Sequence, residues 1–353
     1  MSAADLGAKV WDLLTYKVVN RIEPANRRGY SDEVPEHLPE GGWKVVHYGI
    51  MVPGLPEPVR FFDMISIFGT ATNVPIFAAP ELTPHEPDDT AWLLLGSAVS
   101  RDNFTAYSIS KDCDTPPDRS RLAVGDGLTI TRSQGKLQMS AATDGLEAEL
   151  TIRPSRAISH FVHIPGLYDH WSVLCEYEGT FRPAGAAEPI VTSGLCTWEY
   201  ARGRTDVPIP MRLFTYQILN IDAQTQVLMV EVLGLGGVPL QRLVYVRSLD
   251  GSSHTYGSGY RHRVHEYLPT VTTPDGVPMR LPRTFEWAVD DEHGNELIVI
   301  RGVANDDYAY GMAAGYAGSY QYTGRFRGCD IDGCGYIEWI DRRGGRRERS
   351  LRY

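Results

Sequence analysis

The chain has 353 residues, a formal net charge of -10, 42% hydrophobic and 22% charged residues, the make-up of a folded globular protein long enough for two domains. The acidic balance argues against nucleic acid as a partner, and no window approaches 18 uninterrupted apolar residues, so no membrane-spanning helix is expected. Five scattered cysteines (Cys113, Cys175, Cys196, Cys329, Cys334) and an N-terminus without a basic and then apolar run fit a cytoplasmic protein with reduced thiols.

In chain order, the first predicted element is a helix over 4–20, where Val10, Leu13, Leu14 and Val18 make an apolar stripe and Pro24 follows shortly after. The polar stretch 21–42 reads as an extended lead-in. From Trp43 onward the pattern is short strands: 44–51, 60–69, 92–97, 104–110, 128–132, 136–141 and 146–153, with turn signals such as Gly125-Asp-Gly127 and Asp144-Gly145. Segment 154–170 reads as irregular, and strands over 171–181 and 195–201 complete a first unit. Two prolines and a charge cluster in 202–210 mark a boundary. The second unit repeats the style over 211–221, 226–233, 241–248, 253–266, 271–273, 283–289, 296–303, 316–327 and 335–341. Antiparallel neighbours with tight turns make a meander, and a meander of eight or more strands removes its edges by closing into a barrel. The expectation is an all-β chain: an N-terminal segment 1–42, then two barrel units packed side by side, 43–206 and 207–353.

The two units end alike. Thr192-Ser-Gly-Leu-Cys-Thr-Trp-Glu-Tyr-Ala-Arg-Gly203 is echoed by Ile331-Asp-Gly-Cys-Gly-Tyr-Ile-Glu-Trp-Ile-Asp341, each a glycine turn and an aromatic strand around a carboxylate, Glu199 or Glu338. Ser172–Arg182 and Ser319–Arg327 are alike in the same way, which points to an ancient duplication. Repetition in both halves assigns Glu199 and Glu338 a structural role at barrel closure. Gly333-Cys-Gly-Tyr-Ile-Glu-Trp339 resembles a Gly-x-Gly-Tyr-x-Glu strand near the end of the lipocalin-like AttH and carotenoid hydratase (hydroxyneurosporene synthase) superfamily, and 171–203 resembles an uncharacterised actinobacterial branch of it. The resemblance implies two lipocalin-like antiparallel barrels in tandem and a greasy ligand. Its known members include hydratases, cyclases of polyketide or terpenoid substrates, and proteins without assigned activity, so it implies no single reaction.

Chemistry is expected where the halves differ, in the histidine-rich segments 159–171 and 253–267. If 253–266 is one strand, His254, Tyr256, Tyr260, His262 and Glu266 share a face, and His, Tyr and carboxylate on a barrel wall supply acid and base groups near neutral pH. The same residues also fit an exposed strand whose histidines pair with carboxylates. The catalytic candidates are His254, Tyr256, His262 and Glu266; the ligand-lining candidates are Asp63, His163, His170, Trp171, Tyr260 and Trp287. His163, His170 and Trp171 are placed in a loop at a barrel mouth. Glu231 and Glu286 alternate with apolar residues, which predicts acids turned to solvent, whereas Asp63 in Phe61-Phe-Asp-Met-Ile is less regular. His262 and His265 point to opposite faces of a strand, so no metal is expected, and no cofactor. The function expected is a cofactor-independent hydratase, dehydratase, isomerase or cyclase acting on a terpenoid, steroid or polyketide. The alternatives are a non-catalytic carrier of such a ligand and an interaction module with filled barrels. The expected partners are the hydrophobic small molecule and, as one option, a second copy of the chain in a homodimer.

Overall fold

Strands with one face to solvent alternate in burial with a period of two. Along Lys136–Ala142, for example, Leu137, Met139 and Ala141 are buried while Lys136, Gln138, Ser140 and Ala142 are exposed. A computed structural model of the chain describes residues 21–31, 36–69, 85–101, 103–204, 211–311 and 315–343. The helix expected over 4–20 lies outside the described residues.

The first sheet is built from β1 (Val45–Val52), β2 (Phe62–Phe68), β3 (Thr90–Ser97), β4 (Phe104–Ser108), β5 (Cys113–Asp114), β6 (Arg121–Val124), β7 (Leu128–Ser133), β8 (Lys136–Ala142), β9 (Leu146–Ile164), β10 (Tyr168–Pro183) and β11 (Ile190–Gly203). The second contains β12 (Leu213–Asn220), β13 (Thr225–Leu233), β14 (Pro239–Ser248), β15 (Ser253–Tyr256) and β16 (Arg261–Tyr267). After a small β17–β18 ribbon (Val271–Thr272, Pro278–Met279) it continues with β19 (Pro282–Asp290), β20 (Glu296–Ala304), β21 (Ala309–Tyr310), β22 (Tyr316–Phe326) and β23 (Cys329–Asp341). Both sheets are antiparallel meanders that curl until the first strand meets the last, β1 against β11 and β12 against β23. In both, the remaining edges follow the fourth strand, at β4 and β5 and at β15 and β16. The fold is therefore the expected one, all-β with two near-closed barrels in tandem. Among the described residues no helix is long and apolar enough to cross a membrane.

Large side chains pack together in both interiors. In the first barrel Tyr48 stacks on Trp198 at 5.5 Å, with Ile50, Met64, Ile130 and Tyr200 in the same cluster. In the second, Met229, Trp287, Ile298, Tyr320 and Ile337 pack together. A third cluster joins the outer faces of the two: Met51, Ile65, Trp92 and Phe161 from the first barrel meet Tyr216, Ile218, Leu228 and Tyr245 from the second. Each large apolar side chain buried this way contributes about 1.5–3 kcal/mol, so the contact between barrels is a core in its own right.

Three expectations are corrected. Residues 21–28 are helical, not extended. Docking explains it: Ile22 and Asn26, one turn apart on one face, are buried against the seam between the barrels. Segment 154–170 is not irregular, because β9 and β10 run through it as a long hairpin; Pro154 is tolerated at a register shift between Val173 and Cys175. Segment 253–266 is not one strand. It breaks at 257–260, where Gly259 has a φ of +60° and a Cβ would lie 1.9 Å from Asp290 Oδ2, and β15 and β16 end at opposite edges of the sheet.

Candidate active site between the barrels

Parity along the closing strands decides what faces what. On β11, Cys196, Trp198 and Tyr200 point into the first barrel, so Thr197, Glu199 and Ala201 point outward. They are buried all the same, because the second barrel covers them. On β23, Ile337 points into the second barrel, and Tyr336 and Glu338 point toward the first.

Tyr336 stands between two carboxyls, with its hydroxyl 2.8 Å from Asp63 Oδ2 and 3.0 Å from Glu338 Oε1. One hydroxyl proton serves only one of them. The other contact is satisfied when a protonated carboxyl donates to the Tyr336 oxygen. Glu338 is that acid: burial pushes its carboxyl well above the usual range, and the charges of Glu199 and Asp63 push it further. Burial also raises Asp63, to about 6, against the hydrogen bond from Tyr336. Asp63 fits because its cross-strand partner is Gly96, where a Cβ would lie 2.2 Å from Oδ1.

Glu199 behaves in the opposite way. Burial acts to raise it, but its neighbour His170, the Tyr216 hydroxyl and His47 together hold its carboxyl below the ordinary value. Tyr216, from the second barrel, donates to Glu199 Oε1 at 2.6 Å, and His170 Nε2 lies 3.7 Å from Oε2. His47 on β1 and His170 on β10 both pair across Ala201 of β11, and the small side chain between them lets the two rings meet edge-on at 5.9 Å. His47 Nδ1 lies 3.0 Å from the Ser66 carbonyl, which only accepts, so Nδ1 carries the proton and Nε2 a lone pair. Burial pushes the His47 imidazole down to about 4, with His170 adding to the effect. The donor atoms of His47, His170 and Glu199 all lie within 4.8 Å of one another, a set able to hold a metal ion. Nearby, fully buried Arg247 donates to Gln226 Oε1 at 2.5 and 3.1 Å and to Ser172 Oγ at 2.9 Å.

The residues singled out from sequence are dispersed. Asp63 and His170 belong to this face. His262 is buried in the second barrel, its Nδ1 2.7 Å from Glu231 Oε2. Glu231, expected at solvent, is buried against His262 and Arg242, whereas Glu286 is half-exposed and pairs with His265 at 3.3 Å. His254 and Glu266 are exposed, on β15 and β16, the two edge strands of the second sheet. Tyr256 and Tyr260 pack against the second interior, with Tyr260 donating to Met229 Sδ at 3.2 Å. Trp287 fills that interior and donates to Gln217 Oε1 at 2.8 Å. His163 lies on β9, not in a loop, and pairs with Asp169 at 2.8 Å. Trp171 belongs to the first interior, 5.2 Å from Tyr200. His47, Tyr216, Tyr336 and Arg247 were not singled out. The echoed acids Glu199 and Glu338 inside aromatic strands are the sequence signal next to them, and the repetition assigned those acids to barrel closure.

No curated protein matches the chain in sequence. Among solved structures, the fold is similar to that of an AttH-like protein of Nitrosomonas europaea, with a TM-score of 0.62 and 11% identity over 91% of this chain and 96% of that one. It is also similar to kievitone hydratase of Nectria haematococca, with a TM-score of 0.54 and 13% identity over 89% of this chain and 95% of that one. At such identities the likeness is one of fold. Residues 65–351 match the family described as a family of unknown function, DUF6670, and the chain belongs to that family.

Proposed function

We propose that the protein is an enzyme that hydrates, dehydrates, isomerises or cyclises a hydrophobic small molecule such as a terpenoid, steroid or polyketide, with its reacting groups on the face between the barrels. The observation that carries this reading is the single Tyr336 hydroxyl held between Asp63 and Glu338. It requires a carboxylic acid that stays protonated inside an apolar wall, which is what protonation of an alkene or departure of a hydroxyl as water demands. In the hydration direction the Glu338 proton passes to an alkene carbon, water adds to the cation, and the proton that water loses goes to the Glu199 side of the face. The proton taken up on the Glu199 side is then released to water, and water reprotonates Glu338 once the product has left. The ionised Glu199 and the protonated Glu338 come from equivalent strands of the two barrels, and opposed environments for two carboxyls are the usual mark of an acid and a base. The fold shared with a hydratase is compatible with the reading and does not carry it.

The test is incubation of the protein in H2(18)O with a panel of terpenoid, steroid and polyketide alkenes and their tertiary alcohols, read by mass spectrometry. Label enters the alcohol with the unaltered chain, and Glu338→Gln lowers the rate about 10²–10⁴-fold. A panel member that binds without any turnover marks a carrier instead.

A further inference from the structure

We propose that His47, His170 and Glu199 form a binding site for one divalent transition metal ion, zinc foremost. Two histidines and a glutamate with an open fourth position are a recurrent zinc donor set. In a tetrahedral site with bonds of about 2.1 Å, ligand atoms lie roughly 3.4 Å apart. His170 Nε2 and Glu199 Oε2 are 3.7 Å apart, and all three donor atoms fall within 4.8 Å, so small side-chain rotations close the set.

The surroundings of the three ligands point the same way. Metal-ligating histidines hold their other ring nitrogen through a second partner, and ligating carboxylates are themselves hydrogen-bonded. His47 gives its Nδ1 proton to the Ser66 carbonyl at 3.0 Å, which turns Nε2 toward the other two. The Tyr216 proton occupies Glu199 Oε1 at 2.6 Å and leaves Oε2 free to ligate. His170 Nδ1 faces the Tyr168 hydroxyl at 3.4 Å, and its Nε2 is buried with no hydrogen-bond partner among the described residues. An orphaned buried nitrogen of this kind is costly, and a bound cation removes that cost. Three adjacent strands supply the set: β1 and β10 flank β11, with Ala201 leaving room between the imidazoles. The departure from the metal-free expectation has a simple cause, since the ligands lie far apart in sequence and no local spacing signals them.

A metal here would supply the activated water for the reaction proposed above. That role rests on the preceding reading; binding itself does not. The experiment uses the full chain stripped with a chelator, dialysed, and titrated with Zn²⁺ against a chromophoric competitor, with Co²⁺ as a spectroscopic probe. One ion per chain and the intense visible bands of four-coordinate Co²⁺ are expected. His47→Ala and His170→Ala should each abolish these bands, and Tyr216→Phe should weaken Zn²⁺ about 10–100-fold. The exposed-site variant His254→Ala should change nothing, and circular dichroism controls for folding of each variant. Absence of stoichiometric Zn²⁺ binding to the unaltered chain, or binding that survives His47→Ala and His170→Ala in folded protein, overturns the site. Glu338→Gln separates the two proposals, since it should stop turnover and leave metal stoichiometry at one.

Discussion

At the scale of single residues, the group with the clearest pH signature is Asp63. Burial holds its carboxyl at about 6 against an ordinary 3.8, so the folded chain keeps this proton more tightly than the unfolded one. The stabilisation is complete below about pH 4 and is lost as pH rises through about 6, a change on the order of 3 kcal/mol. Asp63→Asn keeps an acceptor for Tyr336 and has no charge to bury. Its stability relative to the unaltered chain should therefore climb by up to that amount between about pH 4 and pH 7 in denaturant titrations. A difference that stays flat with pH would show that Asp63 titrates normally. This residue was visible in sequence as an acid out of step with its apolar neighbours. Its partner Tyr336 was not, because the contact joins two strands 273 positions apart.

Among the elements, the helical segment 21–28 holds the seam. The Asn26 side-chain oxygen accepts from the His160 backbone N–H at 2.8 Å, and its amide reaches Thr255 Oγ1 at 3.4 Å, one contact on each barrel. Asn26→Ala leaves the His160 N–H buried and unpaired, an expected loss of about 1–3 kcal/mol by chemical denaturation. An isosteric Asn26→Asp should lose less, because its oxygen still accepts. Sequence reasoning read this stretch as extended because its own composition is polar; its helicity is stabilised by docking, which local composition does not report. Strands with clean alternation, such as β8, were legible almost to the residue. β9 and β10 were not, because a proline and two register shifts break the period where the strands continue. In 253–267 a glycine turn inside a run of strand-forming residues likewise breaks the period, and its two halves become the two edge strands of the sheet.

Across the whole molecule, alternation reports which residues share a face but not whether that face meets water. For Glu199 and Glu338 this was the decisive gap. Each lies on the outer side of a barrel, where a carboxylate is ordinarily solvated, and each is buried because the barrels pack those sides together. The echo that suggested a duplication was legible; the divergence of its two copies needed the pairing. Glu199 sits opposite Gly49 and Glu338 opposite Tyr216, and where His47 flanks Ala201, Phe214 flanks Ile340. One acid is set beside two histidines, the other beside a tyrosine and further carboxyls.

The pairing of first strand with last also has a mechanical side. Val45 faces Gly203 and Leu213 faces Asp341, so both ends of each barrel leave from the same end of an antiparallel pair. Tension applied at those ends pulls along the inter-strand hydrogen bonds, which lie perpendicular to the strands, and breaks them one after another like a zipper. In single-molecule stretching, each barrel should yield at low force, far below that of a sheet loaded in shear. The early breaks fall at His47–Ala201 and then at Gly49–Glu199. The face between the barrels would thus come apart before the cores behind it.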